Sequence, residues 1–158
     1  MKQTICFDLD GTLTESKTAI TPEMAELLAK LQTIKKVAII GGASFKQFQK
    51  QFTSHLKYFE NLFILPTCGA AFYKYENNTW TPIYQLHLSS EEKAKIFEAF
   101  GKAFIDIDYH NPEMTYGQII EDRETEISFS TLGQDAPLSA RKSLILDRRA
   151  EIIARLNI

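Results

Sequence analysis

The sequence predicts an α/β fold: a parallel-sheet core in the N-terminal half, then a smaller α+β domain. Three observations carry this. Short apolar runs at Thr4–Leu9, Val37–Ile40 and Phe63–Pro66 alternate with stretches of helical apolar spacing, as in strand–helix–strand units. The connections between these elements are short, which favours right-handed parallel crossovers. After Gln85 the texture changes to a long amphipathic helix followed by a hairpin pattern. A length of 158 residues suits one domain or one domain with a small insert. We place the core at residues 1–84 and the second domain at 85–158.

Thr4–Leu9 reads as a buried strand, and Glu15–Ala19 as a polar loop. Thr21-Pro22-Glu23 starts a helix, with an N-cap hydroxyl, proline at the first helical position and an acid in the first turn. Met24, Leu27, Leu28, Leu31 and Ile34 recur at helical spacing and form its apolar face. Val37–Ile40 is a second strand stopped by Gly41-Gly42. Ser44 and Gln47 form a capping box for a helix whose apolar face is Phe45, Phe48, Phe52 and Leu56. After the third strand comes a hairpin, Ala71–Tyr75 and Trp80–Gln85, turning at Glu76-Asn77-Asn78.

In the second domain, Ser89 and Glu92 make a capping box for a helix with Ala94, Phe97, Phe100 and Phe104 inward. Asp106-Ile107-Asp108 reads as an alternating strand or loop without a metal role, since no glycine turn follows it. Asn111–Gly117 is a loop. Gln118–Asp122 and Glu126–Thr131 form a hairpin around Arg123-Glu124-Thr125. Gly133–Leu138 is irregular, and a final helix starts near Asp147 and buries Ile152, Ile153 and Leu156.

Composition excludes several classes. Hydrophobic content of 44% and charged content of 24% are ordinary for a globular protein. A net charge of −2 gives no global field for nucleic acid or an anionic membrane. No apolar run is long enough to span a bilayer, and Met1-Lys2-Gln3 opens no signal-peptide pattern. Cys6 and Cys68 have neither disulfide-framework nor metal-ligand spacing, and Cys68 reads as a buried thiol. A reduced, cytoplasmic protein is expected. His55, His87 and His110 are scattered, and none is placed for a metal or a triad.

The chemistry concentrates in Phe7-Asp8-Leu9-Asp10-Gly11-Thr12-Leu13-Thr14. Strand alternation puts Asp8 and Asp10 on the same side of the backbone. Two carboxylates that close repel unless a cation or basic group neutralises them. Their oxygens suit magnesium, which is commonly held by one or two carboxylates plus substrate phosphate. The bland alternative is a strand ending in an acidic turn, which requires neither the glycine nor the threonine. Ser44 carries two readings: a helix cap, or a hydroxyl that binds phosphate together with the Gly42 and Ala43 amides at the helix start.

The Asp8–Thr14 string resembles the first motif of the haloacid dehalogenase superfamily of phosphatases and phosphomutases. That resemblance implies a Rossmann-like core with Mg2+ as cofactor. It makes Asp8 the nucleophile, Asp10 the general acid/base, and both residues metal-binding. It also favours Ser44 as the phosphate ligand, because the second motif is a Ser or Thr ending the second strand. Ile120–Arg141, with Ile127-Ser128-Phe129-Ser130 and Gly133-Gln134-Asp135-Ala136-Pro137, is similar to the α/β cap of the phosphomannomutase and sugar-phosphatase branch. Eukaryotic phosphomannomutases carry three arginines there that grip a distal phosphate. Arg123 and Arg141 align with two of them and would bind substrate, whereas the third position is Gln134. In that branch the turn after the third strand usually carries Asn-Gly, where this chain has Cys68-Gly69.

The implied function is Mg-dependent hydrolysis of a small phosphorylated sugar through an aspartyl-phosphate. The partner is the phosphosugar, with no nucleic acid or membrane involved and a homodimer left open. A phosphomannomutase-type mutase is the alternative, and the uncharged Gln134 weighs against it. A non-catalytic remnant that binds a phosphorylated ligand is another. A response-regulator receiver would place its acceptor aspartate after a later strand, and a glycosyltransferase DxD would not continue as Gly-Thr. The superfamily's third-motif lysine and fourth-motif acids are not found before Ile158, and Lys142, the last lysine, lies in the cap string. The 158 residues are therefore expected to be part of a longer enzyme and a poor catalyst alone.

Overall fold

The computed structural model describes residues 3–147. The chain divides into two compact units, Met1–His87 and Leu88–Ile158. Among the described residues no helix is long and apolar enough to cross a membrane.

The first unit is built on a five-stranded sheet in the order β1-β2-β3-β4-β5. β1 (Thr4–Asp8), β2 (Lys36–Ile40) and β3 (Leu62–Leu65) are parallel, and β4 (Ala71–Glu76) and β5 (Thr79–Gln85) add an antiparallel hairpin. Asn77 and Asn78 both take positive φ at the hairpin turn, the backbone that a tight two-residue connection needs. Pro82 lies in β5, at the sheet edge, where its missing N–H interrupts no central ladder.

Helix α1 (Pro22–Gln32) crosses from β1 to β2, and α2 (Phe45–Gln51), followed by a 3-10 turn at Thr53–His55, crosses from β2 to β3. Both contribute to one core. Val37, Ile39, Leu62 and Ile64 from one sheet face pack with Leu28, Phe48 and Phe52, and each of these seven is at most 3% exposed. Burying a phenylalanine this completely is worth about 2–3 kcal/mol, so Phe48 and Phe52 anchor α2 firmly. The opposite sheet face is more open: Cys6 and Asp8 are exposed, and Ala38, Ile40, Phe63 and Leu65 are half-buried.

Three helical details differ from the expected pattern. On α1, Leu27 and Ile34 are exposed, because the stripe runs through Met24, Leu28 and Leu31 and the helix stops at Gln32. Ser44 caps α2 by accepting from the Gln47 N–H at 3.3 Å, but the Gln47 side chain donates to Gln51 Oε1. Gln47 thus spends its amide along the helix. Leu56 lies beyond α2 yet still packs against the core.

In the second unit α3 (Ser90–Asp106) starts at Ser89 with the full reciprocal capping box to Glu92. Its half-buried stripe is Lys93, Ile96, Phe100 and Phe104, so the expected Ala94 and Phe97 face outward. The reason is the partner. Phe129 on the hairpin β6 (Ile120–Asp122) and β7 (Ile127–Phe129) meets Phe100 and Phe104 at 6.0 and 5.1 Å between ring centroids. Lys93, one turn before Ile96 on the same side, reaches Asp122 at 2.8 Å. Asp106 ends α3 and Asp108 takes φ 49°, so this DxD is a helix terminus, neither strand nor free loop. Gly133 has φ 86°, and a Cβ there would collide with the Tyr116 carbonyl, which fixes glycine at this crossing. Helix α4 (Leu138–Asp147) occupies a stretch with no helix expected from the sequence, and the helix expected from about Asp147 onward lies outside the described residues. Ile152, Ile153 and Leu156 lie outside the described residues.

Candidate active site

Parallel pairing sets where the candidate residues meet. Asp8 is in register with Ile40, and Ile40 with Leu65. The chain therefore leaves all three strands at the same carboxyl edge, where open α/β sheets bind their ligands. Three loops emerge there: the Asp10–Thr14 turn, Gly41–Ser44, and the turn at Thr67–Gly69.

β1 ends at Asp8, so strand alternation reaches Asp8 and stops, and the position of Asp10 is set by the following turn. Gly11, at φ 86°, turns the chain so that its N–H bonds to the Thr14 carbonyl at 2.7 Å. The Leu9 carbonyl collects the N–H groups of Thr12, Leu13 and Thr14. Leu9 and Leu13 are buried, which roots the turn in the core. The Asp8 carboxylate is exposed, and its Oδ2 accepts from Thr12 Oγ1 at 3.3 Å. The Asp10 carboxylate is half-buried, and its Oδ1 accepts from Gln51 Nε2 at 2.6 Å and from the Lys17 N–H at 2.9 Å.

The Gly41–Ser44 loop is tied to the third-strand turn. The Cys68 N–H bonds to the Gly41 carbonyl at 2.9 Å, and the Thr67 N–H to the Ala43 carbonyl at 3.0 Å. Thr67, Cys68 and Gly69 all take positive φ, an uncommon run that includes a β-branched residue. Those two bonds hold it. Cys68 is exposed, correcting the expected buried thiol, because the left-handed turn carries it to the surface while Thr67 is buried. Asparagine tolerates this conformation well, which rationalises the Asn of the related branch at this position.

Arg123 and Arg141 belong to the second unit. The Arg123 side chain, 9% exposed, donates from Nε to Glu121 at 2.7 Å and from one terminal nitrogen to Glu126 at 3.0 Å. Its other terminal nitrogen donates to Gln134 Oε1 at 2.9 Å. The expected phosphate-gripping fork is thus engaged with two carboxylates and an amide of its own unit. Gln134 fits this arrangement because its carbonyl accepts, whereas an arginine there would bring a second cation to Arg123. Arg141 is half-buried in the first turn of α4.

Sequence reasoning missed Gln51, Thr12 and the Lys17 N–H. Gln51 left a trace: a polar side chain one turn after Phe48 on the apolar side of α2, and 2% exposed in the fold.

The donor chemistry near Asp8 and Asp10 is hard oxygen. Among the described residues no three His, Cys, Asp or Glu side chains group to hold a metal. Magnesium commonly takes one or two carboxylates and completes its shell with phosphate and water, so the pair fits as a partial set.

Residues 5–150 match the family described as haloacid dehalogenase-like hydrolase. The chain belongs to that family. Among curated relatives of these hydrolases, phosphomannomutase 2 of Dictyostelium discoideum is 51% identical over 51 residues, covering 32% of this chain and 20% of that protein. A probable phosphomannomutase of Caenorhabditis elegans is 27% identical over 142 residues, covering 89% of this chain and 56% of the relative. Both relatives are phosphomannomutases, so the chain's similarity among curated proteins runs to that branch of the family. A haloacid dehalogenase-like hydrolase from Bacteroides thetaiotaomicron superposes with a TM-score of 0.52 at 25% identity, over 65% of this chain and 38% of that one. An N-terminally truncated Plasmodium falciparum IMP-nucleotidase shares the fold at TM-score 0.58 and 16% identity, over 97% of this chain and 48% of its own. The chain spans about half the length of the curated relatives it matches along most of its own length.

Proposed function

We propose that this protein is a phosphohydrolase for a small phosphorylated sugar, working through an aspartyl-phosphate on Asp8. The observation that supports it best is the register of β1 and β2. That register delivers Asp8 and the Gly41–Ser44 loop side by side to the carboxyl edge of the sheet.

In this reading an Asp8 oxygen attacks phosphorus in line as the bond to the sugar oxygen breaks, and Asp10 gives its proton to that departing oxygen. Water then attacks the aspartyl-phosphate, Asp10 takes the water proton, and Asp8 and phosphate are released. Thr12 holds Asp8 Oδ2, which leaves Oδ1 for attack. Ser44, Gly42 and Ala43 hold the non-bridging oxygens, with Ser44 accepting from Gln47 while its own O–H is donated to phosphate. Asp8 and the Asp10 main-chain carbonyl would hold magnesium, which when bound offsets the negative charge between carboxylate and phosphate.

A mutase is the second reading, favoured by the phosphomannomutase relatives. The engagement of Arg123 with Glu121, Glu126 and Gln134 supports hydrolysis, because it leaves less cation for a second phosphate. Arg141 is then the arginine proposed to contact substrate.

The test is phosphate release from a panel of sugar phosphates with magnesium, with and without a sugar bisphosphate. It is run on the 158-residue chain and, where the gene encodes more, on its complete product. Release that needs no bisphosphate and disappears in Asp8→Asn is expected. Strict dependence on the bisphosphate would turn the assignment to a mutase, and no turnover of any ester by the complete product would overturn it.

A further inference from the structure

We propose that Gln51 is a positioning residue for Asp10, choosing which carboxylate oxygen carries the proton. The inference rests on the phosphohydrolase reading above. Gln51 is buried at the end of α2, the helix anchored by Phe48 and Phe52. Its side-chain amide has two N–H groups, and both are used on the loop that carries Asp10. One donates to Asp10 Oδ1 at 2.6 Å, the other to Thr14 Oγ1 at 2.9 Å. Its amide oxygen accepts from Gln47 at 3.4 Å, which sets the amide's orientation. Its main-chain carbonyl accepts the Ile20 N–H at 3.0 Å. A single residue thus clamps both ends of the segment from Asp10 to Ile20 onto a packed helix.

The chemical consequence concerns the two oxygens of Asp10. Oδ1 accepts from Gln51 and from the Lys17 N–H, so a proton on the carboxyl resides on Oδ2. Of the two donors, Lys17 belongs to the loop itself, whereas Gln51 belongs to the core. Gln51 therefore keeps the Oδ2–H aimed at the departing oxygen in the first half-reaction. In the second, it presents the unprotonated Oδ2 to the water.

A general acid matters when the leaving oxygen is basic. A sugar alkoxide needs a proton as it departs, whereas a nitrophenolate leaves without one. The value of kcat/KM reports steps up to aspartyl-phosphate formation, so the comparison isolates the acid step. Gln51→Met keeps the bulk and removes both donors, and Gln51→Glu keeps the shape while replacing the donor group with a carboxylate. We expect each variant to lose about 10- to 100-fold in kcat/KM on a sugar phosphate. The same variants should stay within about threefold of the parent on p-nitrophenyl phosphate, a contrast that general-acid assistance requires. Circular dichroism establishes which variants fold, and either folded variant suffices. Equal losses on both esters, or no loss on either, would overturn the positioning role and leave the proposed function standing. With parent and variants made in the complete gene product, a parent inactive on both esters would instead sink the proposed function, and this inference with it.

Discussion

Asp8 is exposed and bonded to one hydroxyl, whereas Asp10 is half-buried and held by two N–H donors. That contrast matches the two proposed roles, since a nucleophile must meet phosphorus and a proton carrier must keep its direction. Asp8→Asn should lower turnover by roughly 10⁴-fold or more, measured as phosphate release, because no other nucleophile replaces it. Arg123 calls for a different experiment. Removing its guanidinium leaves Glu121 and Glu126 facing one another without their cation, each with a side chain 30% exposed. Loss of a partner from a buried ion pair costs about 3–5 kcal/mol, and partial solvent access reduces this. Arg123→Met should therefore lower stability by about 1–3 kcal/mol in urea unfolding, with the change confined to signals of the second unit. At Gly133, alanine would meet the Tyr116 carbonyl, a backbone atom that cannot rotate away. Its cost should be at least about 2 kcal/mol.

α2 links packing to chemistry. Its N-terminus carries Ser44 beside the proposed phosphate site, and its C-terminus carries Gln51 against Asp10. Ser44 has a cap to lose as well as its proposed phosphate contact. Ser44→Ala should cost about 1 kcal/mol of stability and also raise KM. Ser44→Asp should restore the cap but place a negative charge against the incoming phosphate. Urea melts and KM values for the two variants separate the roles: recovered stability with a still higher KM is the expected pair. In the second unit the element to test is β6. Asp122 is held below its ordinary value of 3.8, first by the Lys93 side chain and then by the Glu124 N–H. A carboxylate lowered in the fold stabilises above its unfolded value, and that contribution is lost as pH falls through the lowered one. Asp122→Asn should therefore flatten the loss of stability below about pH 4, read as urea midpoints at pH 7 and pH 3.

For the molecule as a whole, two compact units divide the expected tasks. The Met1–His87 unit contains the carboxyl-edge loops with Asp8, Asp10 and Ser44, and the Leu88–Ile158 unit contains Arg123, Gln134 and Arg141. If hydrolysis uses magnesium as proposed, chelation should abolish phosphate release and added magnesium should restore it without changing the circular dichroism spectrum. The family match runs across both units, from residue 5 to 150, so the division does not mark the end of the similarity.

Elements specified by neighbouring residues were legible from the sequence: the apolar runs that became strands, the Thr21, Ser44 and Ser89 caps, the Gly11 turn and the Asp8–Asp10 motif. Each depends on backbone preference or a hydrogen bond spanning a few residues. The tertiary structure decided what depends on distant partners. Phe129 selected the inner face of α3 and turned Phe97 outward. Glu121, Glu126 and Gln134 engage the Arg123 guanidinium, a set of partners that no local pattern specifies. Gln51 reached Asp10 across 41 positions of chain, a separation over which no local pattern operates. Local preference thus marked the two candidate carboxylates, and the packing of α2 against the loop determined which oxygen of Asp10 is held.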